Sequence, residues 1–94
     1  MAVAYLLRYK TSKPGDILTQ LRAYKERELD RSPPAGLRHA RLLTGSDGKT
    51  VAFYSEWDDA DGLEEMRDSV PWEACFDIND VHADAHEEIV FDID

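Results

Sequence analysis

The chain has 94 residues, a formal charge of −9 and a pI near 4.6. A chain of this length makes one domain, residues 1–94, which buries roughly two-thirds of its unfolded surface and gains from pairing with a second copy. The acidic balance disfavours nucleic acid, whose phosphates need a basic face, and an anionic membrane surface; an apolar fraction of 43% with two Trp, four Tyr and three Phe disfavours disorder.

Val3 to Thr11 alternates as a first strand, with Val3, Tyr5, Leu7 and Tyr9 on one face and Ala4, Leu6, Arg8 and Lys10 on the other. Pro14 and Gly15 mark a turn, and Asp16 is placed to cap a helix whose apolar side is Ile17, Leu18, Leu21, Tyr24 and Leu29. Ser32, Pro33, Pro34 and Gly36 end that helix. A second strand is expected from Leu37 to Thr44, a hairpin turn at Gly45–Gly48, and a third strand from Thr50 to Trp57. Asp58 or Asp59 then caps a short helix carrying Leu63, Met66 and Val70, which Pro71 interrupts. Trp72 to Ile78 fits a further helical turn with unclear ends, and Val81 to Glu87 has no decisive pattern. Glu88 to Asp94 alternates as a closing strand, with Ile89, Phe91 and Ile93 on one face.

The order βαββαβ predicts an α+β, ferredoxin-like antiparallel sheet with both helices on one face. The first and third strands are apolar on both faces, which an antiparallel sheet open to water on one side should not be. The helix-free face is therefore expected to meet a second copy of the chain in a homodimer. Cys75 is the only cysteine, so no intrachain disulfide forms, and a reducing, cytoplasmic setting fits best. The opening MAVAYLLRYK has no basic region before its apolar run and does not read as a signal peptide. No run approaches the length of a membrane span.

The stretches AVAYLLRYKT, KPGDIL, PAGLRHARLL and above all EWDDADGLEEM, a tryptophan and acids at a strand-to-helix junction, resemble the antibiotic biosynthesis monooxygenase family of the dimeric α+β barrel superfamily. The resemblance covers nearly the whole chain. It implies two sheets packed face to face across a dimer, with a small hydrophobic pocket between each sheet and its own helices. It also implies a cofactor-independent monooxygenase that uses dioxygen on a flat phenolic or polyketide-type molecule, the substrate supplying the electrons. A non-redox polyketide cyclase, or a small-ligand-binding dimer of the same fold, is the alternative; a third is a stress-related or structural dimer of no catalytic consequence, which a pocket filled by the protein's own aromatics would favour. Haem-degrading relatives use a tryptophan and a histidine on helices and an asparagine on the first strand. Here Met66 stands near the tryptophan position, Cys75 and Phe76 stand near that of the histidine, and the first strand lacks asparagine, so no haem or other cofactor is expected.

Within that reading His39 is the candidate base for an acidic phenol, sharing a strand face with Leu37, Arg41 and Leu43 if the strand is regular. Arg41 is the candidate clamp for the resulting anion. Trp57, Tyr54, Trp72 and Tyr5 are candidate substrate-binding aromatics, Trp57 as a stacking surface and Trp72 as a lid. Each also has a purely structural role open to it: Trp57 as a corner plug, His39 at a sheet or dimer contact, the tyrosines as interface anchors. The run HADAHE places His82 and His86 at a spacing that could share one helical face, but a third metal ligand is lacking and no metal is expected. Cys75 lies between Glu73 and Asp77, with no base beside it in sequence to favour a thiolate.

Overall fold

The computed structural model describes residues 1–94. β1 (Val3–Lys10) leads to α1 (Pro14–Tyr24), which continues through a π-helical stretch at Lys25–Asp30. β2 (Leu37–Thr44) and β3 (Thr50–Trp57) form a hairpin; α2 (Ala60–Arg67), α3 (Val70–His82) and β4 (Ala85–Asp92) complete the chain. The four strands make one antiparallel sheet in the order β2-β3-β1-β4. That is the ferredoxin-like α+β arrangement expected from the strand and helix order.

Local chemistry explains most boundaries. Asp59 caps α2 by accepting the Gly62 N–H at 3.1 Å, while Asp58 turns away to Arg38 at 2.7 Å. Gly62 is required by close approach: a Cβ there would stand 3.1 Å from the Trp57 ring and 3.2 Å from the Ala35 carbonyl. In the β2–β3 turn the Asp47 carboxylate accepts from the Lys49 and Thr50 N–H groups and the Thr50 hydroxyl, and Gly48 takes φ +69. Asp16 lies inside the first turn of α1 rather than capping it, since Pro14 starts the helix one turn earlier than the aspartate would.

Val70 does not belong to the second helix. That helix stops at Arg67, and Ser69 caps a new one by accepting the Trp72 N–H at 3.4 Å, so Pro71 lies in the first turn of α3 instead of breaking a helix. Val70 is left 77% exposed. The π-helical stretch has an equally local cause. Tyr24 and Leu29, both buried, are five residues apart, and i→i+5 winding brings Leu29 back over the core that regular α-winding would turn it from.

The sheet has two contrasting faces, because directly paired residues in an antiparallel ladder point the same way. Toward the helices run the rows Leu37–Trp57–Val3–Asp92, Ala40–Ser55–Tyr5–Val90, Leu42–Phe53–Leu7–Glu88 and Thr44–Val51–Tyr9–His86. Their β1 and β3 members are buried and pack with Ile17, Leu21, Tyr24, Leu29, Leu63, Met66, Trp72 and Cys75 into the core. On the bare face run His39–Glu56–Ala4–Phe91, Arg41–Tyr54–Leu6–Ile89 and Leu43–Ala52–Arg8–Glu87. A bulge between Leu37 and His39 separates these two residues onto opposite faces, so Leu37 joins the core and His39 does not. No helix is long and apolar enough to cross a membrane.

Candidate functional site

β4 is the strand least covered by helices, and its helix-side residues are polar: His86, Glu88 and Asp92 with Val90 among them. An open margin therefore lies between β4 and the α2–α3 pair. The cleft there has a volume of about 220 Å³ and is walled by Trp72 and Phe76, with Arg67, Glu88, Glu64 and Asp77 among its polar lining.

Arg67 organises this cleft. Its guanidinium donates to Glu88 at 3.0 Å and to Glu64 at 3.1 Å, and it sits 5.2 Å above the Tyr5 ring, a cation–π distance. Glu88 in turn accepts the Tyr5 hydroxyl at 2.9 Å. Burial works against the Arg67 charge, but Glu88, Tyr5 and Glu64 outweigh it and raise its pKa, so it stays a cation. Burial first, then the Glu88 charge and hydrogen bond, push the Tyr5 phenol far above its ordinary range. Only two of the five guanidinium N–H donors are committed to carboxylates, so Arg67 keeps donors for a ligand oxygen.

Further along the α3–β4 seam, His86 forms a dyad with Asp80. The carboxylate oxygen is 2.9 Å from Nδ1, which leaves Nε2 as the free nitrogen. The imidazole stands edge-on to Phe76 at 5.2 Å and lies 6.1 Å from the Tyr9 ring. A carboxylate this close to one imidazole nitrogen can orient the ring, an arrangement general bases use, and both side chains here are partly exposed. The sequence alone did not separate His82 from His86. The first ends α3 facing Asp16 at 3.9 Å and the second lies on β4, so the pair shares no helical face; no group of three or more His, Cys, Asp or Glu is placed to hold a metal ion. The signal for His86 was its two-residue spacing from Glu88, legible only once β4 is known to begin at Ala85.

The six site residues expected from sequence divide across the sheet. Trp57, Trp72 and Tyr5 lie on the helix side; His39, Arg41 and Tyr54 lie on the bare side. Trp57 is fully buried and its indole N–H donates to Ser55 Oγ at 3.0 Å, so it fills the strand-to-helix corner. Trp72 occupies the middle of the sheet–helix layer, with ring centroids 5.1 Å from Tyr24, 5.4 Å from Phe53 and 6.1 Å from Tyr5. The hydrophobic chamber expected beneath the helices is thus occupied by the protein's own aromatics, and open space remains at its β4 margin. On the other face His39 Nε2 pairs with Glu56, and its ring lies 6.0 Å from Tyr54. Cys75 is buried, which raises its thiol pKa against the smaller opposing effects of Asn79 and Arg27 and disfavours the nucleophilic thiolate.

No protein-family model matches the sequence, and no curated protein matches it. Solved structures do. A conserved protein from Methanosarcina mazei Go1 superposes with a TM-score of 0.84 at 13% identity, over 97% of this chain and 91% of its own. The cofactor-independent oxygenase SnoaB from Streptomyces nogalater gives 0.74 at 13% identity, over 99% and 93%. A crystal structure named antibiotic biosynthesis monooxygenase gives 0.80 at 14% identity, over 99% and 98%. Over nearly its whole length, this chain has the fold of the antibiotic biosynthesis monooxygenase structures.

Proposed function

We propose that the protein is a cofactor-independent monooxygenase that oxidises a flat phenolic molecule in the cleft between α2, α3 and β4. One observation carries this reading: an open cleft at the sheet–helix margin has aromatic walls and a guanidinium with free donors, and Phe76 of its wall packs on its other side against the imidazole of His86, which has a carboxylate beside it. The fold shared with SnoaB, a cofactor-independent oxygenase, supports the reaction class.

The chemistry needs only a base, an anion site and a dry wall. His86 takes a proton from the acidic methylene carbon of an anthrone-like substrate, and Arg67 hydrogen-bonds the enolate oxygen that results. The carbanion gives one electron to dioxygen, and the two radicals combine into a carbon-bound peroxide that takes up the proton. Loss of the second hydrogen from that carbon, with cleavage of the O–O bond, leaves a carbonyl and one water. The substrate is the only reductant. Trp72 and Phe76 flank the reacting ring.

A second reading places the site on the bare face, where His39, Arg41 and Tyr54 lie together and His39 is paired with Glu56. There His39 is the base and Arg41 the clamp, and the substrate lies between the sheets of a homodimer. A non-redox role, cyclisation or simple binding, uses the same residues without dioxygen. Oxygen-electrode measurements with an anthrone separate these classes. The oxygenase reading predicts one dioxygen consumed per anthrone, with quinone as product; tight binding of the anthrone with no uptake above the buffer rate overturns it in favour of the non-redox role.

A further inference from the structure

α3 is apolar on a face that the core does not use. Trp72, Cys75 and Asn79 fall on one side of the helix, and all three are buried. A helix that buries one side and meets only water on the other should be polar there. Instead Val70, Ala74, Ile78 and Val81 occupy that other side, within about a quarter of a turn of one another. Ala74 is exposed, and so are Val70 at 77%, Ile78 at 44% and Val81 at 82%. Three of the chain's seven exposed large hydrophobic residues therefore form one stripe on one helix, whereas incidental exposure scatters them singly.

A second row runs beside the stripe: Glu73, Asp77 and Asp80, at helical spacing and all exposed. Asp80 lies against His86 at 2.9 Å, but Glu73 and Asp77 have no basic partner. Both also line the cleft, where Glu64 and Asp68 carry the same charge on the α2 side. An apolar stripe edged by uncompensated carboxylates selects its occupant by charge. A second copy laid on it would set two such acidic rows together, and an anionic membrane surface is repelled. The complement is a helix with apolar side chains at the same spacing and Lys or Arg beside them. We propose that the outer face of α3 docks a basic amphipathic helix of a partner protein, its apolar side chains on Val70, Ile78 and Val81 and its cations on Glu73 and Asp77. The helices lie on the side of the sheet opposite its bare face, so this surface stays open whether or not the bare face is covered.

The probe is a fluorescently labelled synthetic helix of about 18 residues, with leucines at every third and fourth position and lysines flanking them, followed by anisotropy. The wild-type protein should bind it saturably. Ile78→Ser and Val81→Ser, each verified as folded, should each weaken binding about tenfold, and so should Glu73→Gln combined with Asp77→Asn. Val81 is the most exposed of the stripe, so its variant decides the matter should Ile78→Ser not fold. A peptide of the same composition with its leucines dispersed around the helix should bind at least about tenfold more weakly. No saturable binding, equal affinity for the two peptides, or affinity unchanged in the α3 variants overturns the proposal. So does binding that Phe91→Ser abolishes and the α3 variants keep, which would place the peptide on the bare sheet face. A smaller oligomer for Val81→Ser than for wild type in light scattering would make the stripe a contact between copies and equally overturn it.

Discussion

Single residues on this sheet carry more consequence than their neighbours because each face is committed to a different task. Three buried tyrosines make this measurable. Burial is the first cause in each, raising Tyr24 to about 12 and Tyr5 and Tyr9 further still. The sign follows from the folded pKa lying above the unfolded value near 10. The stabilisation from neutral phenols is complete below about pH 10 and is lost as pH rises toward the folded values, because only the unfolded chain ionises there. Phenolate absorbance of these tyrosines should therefore appear together with loss of far-UV circular dichroism, well above pH 10. Ionisation of all the tyrosines near pH 10 with the fold intact would contradict their burial. The β1 alternation identified Tyr5 and Tyr9 as sharing a face, and the strand-to-helix junction identified Trp57. The face of His39 was not legible beyond its neighbours Arg41 and Leu43. A one-residue bulge reverses every side chain before it, and nothing in LRHARLL announces one.

Elements were legible where period and cap agreed. The first three strands and the presence of the first two helices follow from alternation, helical spacing and turn residues, while the closing strand begins at Ala85 and ends at Asp92, earlier at both ends than the Glu88–Asp94 its alternation indicates. The weak point was the stretch after Arg67. Pro71 breaks a helix when it is inside one and starts a helix when it is near the first turn, and the choice depends on whether Ser69 caps. Missing α3 as a full helix also hid the seam, since Phe76 and Asp80 meet His86 of β4 only when the helix runs on to His82. The π-helical continuation of α1 was likewise out of reach, because a five-residue apolar spacing reads as the end of a regular pattern. The α2 cap can be checked directly. Asp59→Ala should cost about 1 kcal/mol in urea denaturation, whereas Asp58→Ala, whose carboxylate meets the exposed Arg38, should cost well under that. Equal losses would show that the capping assignment is wrong.

At the scale of the whole molecule the two faces of the sheet pose separate questions. The bare face holds Leu6, Tyr54, Ile89, Leu43 and Phe91 in adjacent rows, with Leu43 48% and Phe91 46% exposed. An apolar sheet face with the ion pair Arg8–Glu87 and the polar pair His39–Glu56 toward its ends is suited to a second copy of the chain. Light scattering at micromolar concentration should give a dimer, and Phe91→Lys should give a monomer; a wild-type monomer would remove this proposal. The helix face poses the question of chemistry, and the base decides it. Oxygen consumption should be measured with an anthrone on the wild type, His86→Gln and His39→Gln, each verified as folded. The account predicts that His86→Gln slows turnover about 100-fold or more, the usual cost of losing a general base, while His39→Gln stays within about twofold. Turnover lost in His39→Gln and kept in His86→Gln would place the reaction on the opposite face and contradict the site described here.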